Sequence, residues 1–314
     1  MTTGKNQSNN ILTDTYGRTI TNVRIALTNA CNLRCIYCHH EGEESSGCTV
    51  CNQHIQMTKD EITEIIRVFA ELGVTFIKLT GGEPTLRSDL IEIIQSIPSH
   101  IESSMTTNGT LLEKMASDLM AAGLSRVNIS LDTLRRERYL KITGHDLLHD
   151  VLAGIEAALS ADLTPIKLNM VLLKGINDDE IDDFLSYVRG KNNLILQIIE
   201  LMNINGWGDC IDYVKKDAVE NLEKDIASRS TKITTRRMQH RRKYWVDGAE
   251  VEVVRPLHNL EFCANCNRLR VTSDGKLKPC LLRTGNEVNI RGLHGDALKA
   301  AIAQTVQNRS PYFF

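Results

Sequence analysis

No apolar run of about 18 residues occurs in this 314-residue sequence, so no membrane-spanning helix is expected. The most apolar stretch, Leu194 to Met202, is broken by Gln197 and Glu200. An excess of charge of either sign is also missing: 37 Lys and Arg face 39 Asp and Glu, for a formal net charge of −2. That balance argues against wholesale polyanion binding while leaving room for a local basic patch. The first ten residues are polar and carry no hydrophobic signal region, so a cytoplasmic location is expected. No internal repeat or further low-complexity segment stands out. What is present is ordinary globular material, 42% hydrophobic and 24% charged, enough for a sizeable core. The length fits two average domains or one large α/β barrel with an appendage. Against this background nine cysteines are unusual. In a reducing compartment, clustered cysteines more often bind metal or carry redox chemistry than form disulfides.

Hydrophobic periodicity organises the first two thirds of the chain. Val23 to Leu27 reads as a strand. Thr58-x-x-Glu61 is a capping box ahead of Ile62, Ile65, Ile66, Phe69 and Leu72 at helical spacing, with Gly73 as the stop. Further strands are expected over 74–80, 101–105, 126–131, 166–172 and 194–201, and helices over 88–97, 111–122, 151–161 and 178–188. Six strands alternating with helices predict a parallel sheet of βα units, as an open barrel or a doubly wound arrangement. After about residue 205 the regularity decays. An acid-free basic segment runs from Arg229 to Lys243, and short strand-like stretches follow at Trp245–Val246 and Val251–Val254. A domain boundary is expected near residue 215, giving units 1–215 and 216–314.

In parallel α/β proteins the site forms at the C-terminal ends of the strands, and unusual residues collect there. Cys31 follows the first strand, Thr80-Gly81-Gly82-Glu83-Pro84 the second and Thr106-Thr107-Asn108-Gly109 the third; Ser130 and Asp132 end the fourth, Glu200 and Met202 the sixth. Three thiolates spaced as Cys31-x3-Cys35-x2-Cys38 can hold three irons of a four-iron cluster and leave the fourth open. A tetrahedral zinc site completed by His39, His40, Cys48 or Cys51 is the alternative. A second group, Cys263-x2-Cys266-x13-Cys280, lies far along the chain.

The first triad, with Tyr37 before its last cysteine and Gly-Gly-Glu-Pro after the next strand, resembles the radical S-adenosylmethionine superfamily. Asn267-Arg268-Leu269-Arg270 directly after Cys266 narrows the resemblance to the GTP 3′,8-cyclase family of molybdenum-cofactor biosynthesis, from about Ile20 to Asn289. The resemblance implies a partial, open, six-stranded parallel β/α barrel, with a C-terminal iron–sulfur domain closing its mouth. It implies two [4Fe–4S] clusters, one on Cys31, Cys35 and Cys38, the other on Cys263, Cys266 and Cys280. It places S-adenosylmethionine near Tyr37, Gly82, Ser130 and Met202. It places GTP near Arg24, Lys78, Thr106, Lys167, Arg268 and Arg270, with Arg268 and Arg270 as the residues handling the reacting substrate. Gly81 and Gly82 would let backbone approach the bound amino acid closely. The implied reaction removes hydrogen from ribose C3′ with a 5′-deoxyadenosyl radical and closes that carbon onto guanine C8, yielding (8S)-3′,8-cyclo-7,8-dihydroguanosine 5′-triphosphate. The implied partners are a reductant, a transient contact with the downstream cyclic pyranopterin monophosphate synthase and an optional second copy in a homodimer, with neither nucleic acid nor membrane.

Two features depart from the family pattern. Lys78 stands where many relatives carry Arg, which keeps charge and loses bidentate geometry. The chain ends Ser310-Pro311-Tyr312-Phe313-Phe314 instead of in the family's Gly-Gly, so the tail is expected to be positioned differently or to dock elsewhere. The basic segment reads as a solvated hairpin, as wall around a triphosphate, or as an RNA contact with Tyr244 and Trp245 stacking. Cys48-x2-Cys51 with His54 offers a second metal or redox pair, or is incidental, and Cys210 reads as inert. Two competing functions remain: a peptide-modifying radical enzyme with an auxiliary cluster, and a zinc-dependent nucleic-acid-binding protein.

Overall fold

Apolar residues at every second position bury one face of a strand and free the other for polar work. The computed structural model, which describes residues 12–39, 56–202, 216–257, 259–283 and 285–312 (216–218 by backbone alone), follows that rule. Six strands lead: β1 (Asn22–Ala26), β2 (Phe76–Thr80), β3 (Glu102–Thr107), β4 (Arg126–Ser130), β5 (Ile166–Leu172) and β6 (Leu194–Glu200). They are mutually parallel in chain order. Between them run α1 (Lys59–Glu71), α2 (Leu90–Gln95), α3 (Leu112–Ala121), α4 (Arg136–Thr143), α5 (Leu148–Ser160) and α6 (Ile181–Val188). The α1 capping box forms as the sequence suggests: Thr58 Oγ1 accepts from the Glu61 amide and the Glu61 carboxylate accepts from the Thr58 amide. The sequence reading missed α4, whose charged residues mask its apolar spacing; left-handed Gly144 ends it.

The chain continues with α7 (Lys216–Ser228), β7 (Ser230–Thr235), β8 (Arg242–Val246), β9 (Ala249–Val254), α8 (Leu260–Ala264), β10 (Arg268–Val271), β11 (Lys276–Lys278), β12 (Val288–Asn289) and α9 (Gly295–Gln307). The six-stranded expectation needs correction. Among the described residues twelve strands form one open sheet, in the order β12-β11-β10-β1-β2-β3-β4-β5-β6-β9-β8-β7. β9 pairs parallel with β6 and β10 pairs parallel with β1, so the C-terminal third extends both edges of the sheet. These additions satisfy the hydrogen-bonding edges that a six-stranded sheet would leave open. β10, β11 and β12 span four, three and two residues, too few for periodicity to disclose.

Val23 and Ile25, Ile77 and Leu79, Val127 and Ile129, Leu168 and Met170, and Leu196 and Ile198 are fully buried in the core. The alternating positions between or beside them are polar: Arg24, Lys78, Asn128, Lys167, Asn169 and Gln197 line the opposite face. No helix among the described residues is long and apolar enough to cross a membrane.

Candidate functional site

The polar face of the sheet and the loops beyond the strand ends enclose a cavity of about 410 Å³. Every residue that the resemblance assigns to a cluster, to S-adenosylmethionine or to GTP reaches its wall: Arg24, Cys31, Cys35, Tyr37, Cys38, Lys78, Gly82, Thr106, Ser130, Lys167, Met202, Cys263, Cys266, Arg268, Arg270 and Cys280. Two cysteine groups more than 220 residues apart thus share one space. Parallel pairing of β10 with β1 sets Asn267, next to Cys266, against the start of β1, where its carbonyl accepts from the Thr21 and Asn22 amides (both 3.2 Å), whereas Cys31 follows the end of β1, so the two groups flank the polar face of that strand. His40, Cys48, Cys51, His54 and Cys210 lie outside the described residues.

At one end, none of the three thiols of the first triad is tied up in a disulfide. Burial pushes the Cys31 thiol up to about 11 and, with Asp132 next in effect, pushes Cys35 higher still. The loop that carries them is held from below by Gly81 and Gly82. A Cβ on Gly81 (φ +148°) would lie 2.4 Å from the Thr28 carbonyl oxygen, and one on Gly82 would lie 2.2 Å from that of Ala30. These glycines therefore admit the cysteine loop on one side, and both also line the cavity.

Glu83 continues the same motif. Fully buried, its carboxylate accepts from the Thr85 amide (3.0 Å) and hydroxyl (2.6 Å), the Thr107 hydroxyl (2.7 Å) and the Asn108 amide (2.6 Å). Asn108 Nδ2 then donates to Asn32 Oδ1 at 2.7 Å, so one buried acid ties the ends of β2 and β3 to the cysteine loop. Tyr37 donates to Asp132 at 2.6 Å, and Asp132 also accepts from the Val171 amide at 2.8 Å. Burial lifts the Asp132 carboxyl to about 6.

The second triad faces different surroundings. Burial pushes the Cys266 thiol up, but Arg309, the Arg268 amide and the Arg268 and Arg270 guanidiniums outweigh it and hold the thiol below its ordinary range. Arg268 Nε donates to Asn22 Oδ1 at 2.8 Å, fixing its plane.

Between the triads lies a wall of cations. Register places Arg24 directly beside Lys78 on one side and Arg270 on the other, three positive residues in a row across three strands. Like charges so placed destabilise a sheet. Burial, followed by Arg24, Arg268 and Lys167, pushes the Lys78 ammonium well below its ordinary range. The charge that the Lys-for-Arg departure was expected to keep is therefore not assured without an anion nearby.

The basic segment resolves into several parts. Arg236 and Arg241 line the cavity, whereas Lys232, Arg237 and Arg242 are exposed. Tyr244 is fully buried and donates to Glu223 at 2.7 Å, which removes it as an RNA-stacking residue. Sequence reasoning missed Glu252. It is fully buried on β9, ion-paired with Lys167, and contacts Arg236 Nη1 at 3.0 Å, Arg241 Nη1 at 3.5 Å and Gln197 Nε2 at 3.0 Å. Its sequence signal was acids alternating with valines, Glu250-Val251-Glu252-Val253.

Of the two alternatives for the tail, different positioning or docking elsewhere, the described residues agree with the first. Ser310, Pro311 and Tyr312 line the cavity, held by Arg18 at the Ser310 (2.7 Å) and Pro311 (3.0 Å) carbonyls and by Arg283 at the Tyr312 carbonyl (2.7 Å). Carbonyl groups are what the anchors grip, so a tail without diglycine docks here all the same.

The donor sets fit the groups the site implies. Each triad brings three thiols, none in a disulfide, to the cavity wall, and thiolate sulfur is the ligand that iron–sulfur clusters take. Thr80 Oγ1, Tyr139 OH, Arg241 Nε and Asn286 Oδ1 are buried in residues of the cavity wall without a hydrogen-bond partner, as expected of groups facing a polar ligand.

Comparison with known proteins agrees with this layout. Residues 25–188 match the Radical SAM superfamily and residues 194–314 match Molybdenum Cofactor Synthesis C. A protein of Methanocella arvoryzae named "Probable GTP 3′,8-cyclase" is 51% identical, over 96% of this chain and 95% of its own. One of the same name from Archaeoglobus fulgidus is 47% identical, over 96% and 99%. Among solved structures, Streptococcus suis SuiB covers 95% of this chain and 68% of its own at 15% identity and TM-score 0.64. AnSMEcpe with bound AdoMet covers 88% and 79% at 19% and 0.61; at such identities these two likenesses concern the fold alone. By its family match and by near-full-length identity of about one half, the chain belongs to the radical S-adenosylmethionine superfamily and, within it, to the GTP 3′,8-cyclase family.

Proposed function

We propose that this protein converts GTP to (8S)-3′,8-cyclo-7,8-dihydroguanosine 5′-triphosphate, the first step towards the molybdenum cofactor, using S-adenosylmethionine and two [4Fe–4S] clusters. The observation that carries the reading is the row Lys78–Arg24–Arg270, buried at the lysine and half-buried at the two arginines, flanked by Lys167, Arg236, Arg241 and Arg268, in a cavity with a cysteine triad at each end. A row of adjacent like charges along a cavity wall is sustained by a polyanionic ligand, and a nucleoside triphosphate supplies one. When bound, the cluster on Cys31, Cys35 and Cys38 with S-adenosylmethionine supplies the hydrogen-abstracting radical, using an electron from an external reductant.

The chain's own residues bind, orient and exclude. Tyr37, Gly82, Ser130 and Met202 form the wall assigned to S-adenosylmethionine. Arg24, Lys78, Thr106 and Lys167, with Arg236 and Arg241 added by the geometry, compensate the phosphates. Arg268 and Arg270 hold the guanine end against the cluster assigned to Cys263, Cys266 and Cys280. The Ser310–Tyr312 tail closes part of the wall and keeps water from the reacting carbon. In this reading residues 1–215 carry the radical machinery and residues 216–314 the second cluster, lodged on both edges of the shared sheet.

Anaerobic incubation with S-adenosylmethionine, GTP and a reductant tests the proposal. The expected products are 5′-deoxyadenosine and the cyclised nucleotide in equal amounts. Deoxyadenosine released at the same rate without GTP, with no nucleotide product, would sink it. A second prediction concerns Gly82→Ala. Since the added Cβ would lie 2.2 Å from the Ala30 carbonyl oxygen, the cysteine loop must move. Reconstituted Gly82→Ala protein should therefore lose iron and visible absorbance at the first triad, counted in a background lacking the second. A full complement of iron there would show that the loop tolerates the shift.

A further inference from the structure

Residues near the two ends of the chain meet at one carboxylate beside the second cysteine group. Asp14 has no exposed side-chain surface. Its Oδ1 accepts from the amides of Tyr16 (3.0 Å) and Arg18 (2.9 Å), and its Oδ2 from Arg18 Nε (2.7 Å) and Arg309 Nη1 (2.9 Å). Both guanidiniums are themselves nine-tenths or more buried, with side-chain exposures of 8% and 4%. Held in this way, each also turns one nitrogen onto the Cys263–Cys266 loop, while Arg18 keeps Nη2 on the Ser310 carbonyl and shares Nη1 with that of Pro311. Arg18 Nη1 donates to the Cys263 carbonyl at 3.1 Å and Arg309 Nη2 donates to the Cys266 carbonyl at 2.9 Å.

Two cations against one acid leave this clamp positive. A tie between chain ends needs no such charge: neutral donors would serve with less desolvation penalty. Beside the first triad's loop stand two buried acids: Asp132, which accepts from Tyr37 at 2.6 Å, and Glu83, which reaches the loop through Asn108 and Asn32. One-electron reduction of a four-iron cluster adds a negative charge, and the potential of such clusters follows local charge and hydrogen bonding. Buried guanidiniums favour the reduced form and buried carboxylates oppose it.

We propose that Arg18 and Arg309, fixed by Asp14, are positioning residues that raise the reduction potential of the cluster on Cys263, Cys266 and Cys280 above that of the cluster on Cys31, Cys35 and Cys38. The inference rests on the two-cluster reading above. It assigns a role to residues 12–20 and to Arg309 that substrate binding does not use: an electron entering the protein resides preferentially at the second triad.

The test is an EPR-monitored redox titration of anaerobically reconstituted full-length protein. Each cluster is isolated by replacing the other triad with alanine. Arg309→Gln removes the charge while keeping a donor, Arg309→Lys restores the charge, and Arg18→Gln provides an independent second site. The second cluster should titrate above the first. Arg309→Gln and Arg18→Gln should each move the second cluster's midpoint to more negative potential, Arg309→Lys should recover most of that shift, and Arg309→Gln should leave the first cluster unmoved. A purely structural tie would lower cluster yield without this charge-dependent pattern. Unchanged midpoints with iron retained would overturn the proposal alone. A second triad that binds no iron in the protein lacking the first would overturn the two-cluster reading and this proposal with it.

Discussion

Alanine in place of Glu252 should destabilise the protein by about 3–5 kcal/mol in urea or thermal unfolding, as expected when a buried ion network loses its central partner. Glu252 is fully buried, and Lys167, Arg236 and Arg241 all converge on its carboxylate. Removing it leaves three cations facing one another with Gln197 as the remaining polar neighbour. Burial by itself would push this carboxyl up, but Lys167, Arg241 and Arg236 prevail and hold it well below the ordinary carboxylate range. A depressed acid stabilises the fold at pH values above its unfolded pKa, about 4.3, and loses that contribution as the pH falls towards the folded value. The gap between wild type and variant should therefore close in acid, and it should also shrink above about pH 7 as Lys167 loses the charge that Glu252 pairs with.

GTP affinity should fall in the same variant by about tenfold, or about 1.4 kcal/mol, although the cavity becomes formally more positive. Cations that repel one another splay, and the phosphates must then reassemble them at the expense of binding. Glu252→Gln, which keeps hydrogen bonds, should fall between the two. A stability loss below about 1 kcal/mol, the range of exposed pairs, would mean that water already screens the node.

Much of this site was legible because catalytic groups in a parallel sheet follow two simple rules. Strand alternation sent Arg24, Lys78 and Lys167 to the face opposite Val23, Ile77 and Leu168, and the strand ends gathered Cys31, Gly82, Asp132 and Met202 at one edge. Both rules use only local spacing. What escaped depends on pairing between distant strands. Glu252 matters because β9 lies beside β6, and Arg270 stands beside Arg24 because β10 joins β1; neither neighbour relation leaves a trace in local periodicity. Glu83 was visible as part of a motif, yet its work as a buried acceptor for Thr85, Thr107 and Asn108 emerges only once β2 and β3 are adjacent. Asp14 illustrates the limit most sharply, since one of its partners is 295 residues away. The short strands β10 to β12 were unreadable for a simpler reason: a two- to four-residue strand presents at most two residues to either face.

GTP binding at about pH 8 should draw protons from the buffer, approaching one for Lys167 with a further contribution from Lys78. Burial, with Arg241 and Arg236 adding to it and Glu252 opposing, brings Lys167 down to about 7. At pH 8 about nine tenths of it is neutral in the free protein. A triphosphate brought alongside favours the ammonium form and lifts the pKa back towards that of a solvated lysine, so the complex binds more protons than the free protein. Linkage then makes affinity fall as pH rises from about 7, approaching tenfold per unit for a single proton until the pKa of the bound form is reached. The folding sign is distinct and serves as a control. Between about 7 and about 10.4 the unfolded chain holds more protons than the native one at this residue, so Lys167 burial penalises the native state less as pH rises through that window. Calorimetric titration in two buffers of different ionisation enthalpy measures the uptake directly. Lys167→Met should lose both its share of the uptake and much of the affinity. Lys167→Arg, charged throughout this range, should bind GTP with correspondingly less uptake. Wild-type binding at pH 8 with no proton uptake would mean that Lys167 and Lys78 already carry their charge before substrate arrives, and that the cation wall is more solvated than its burial indicates.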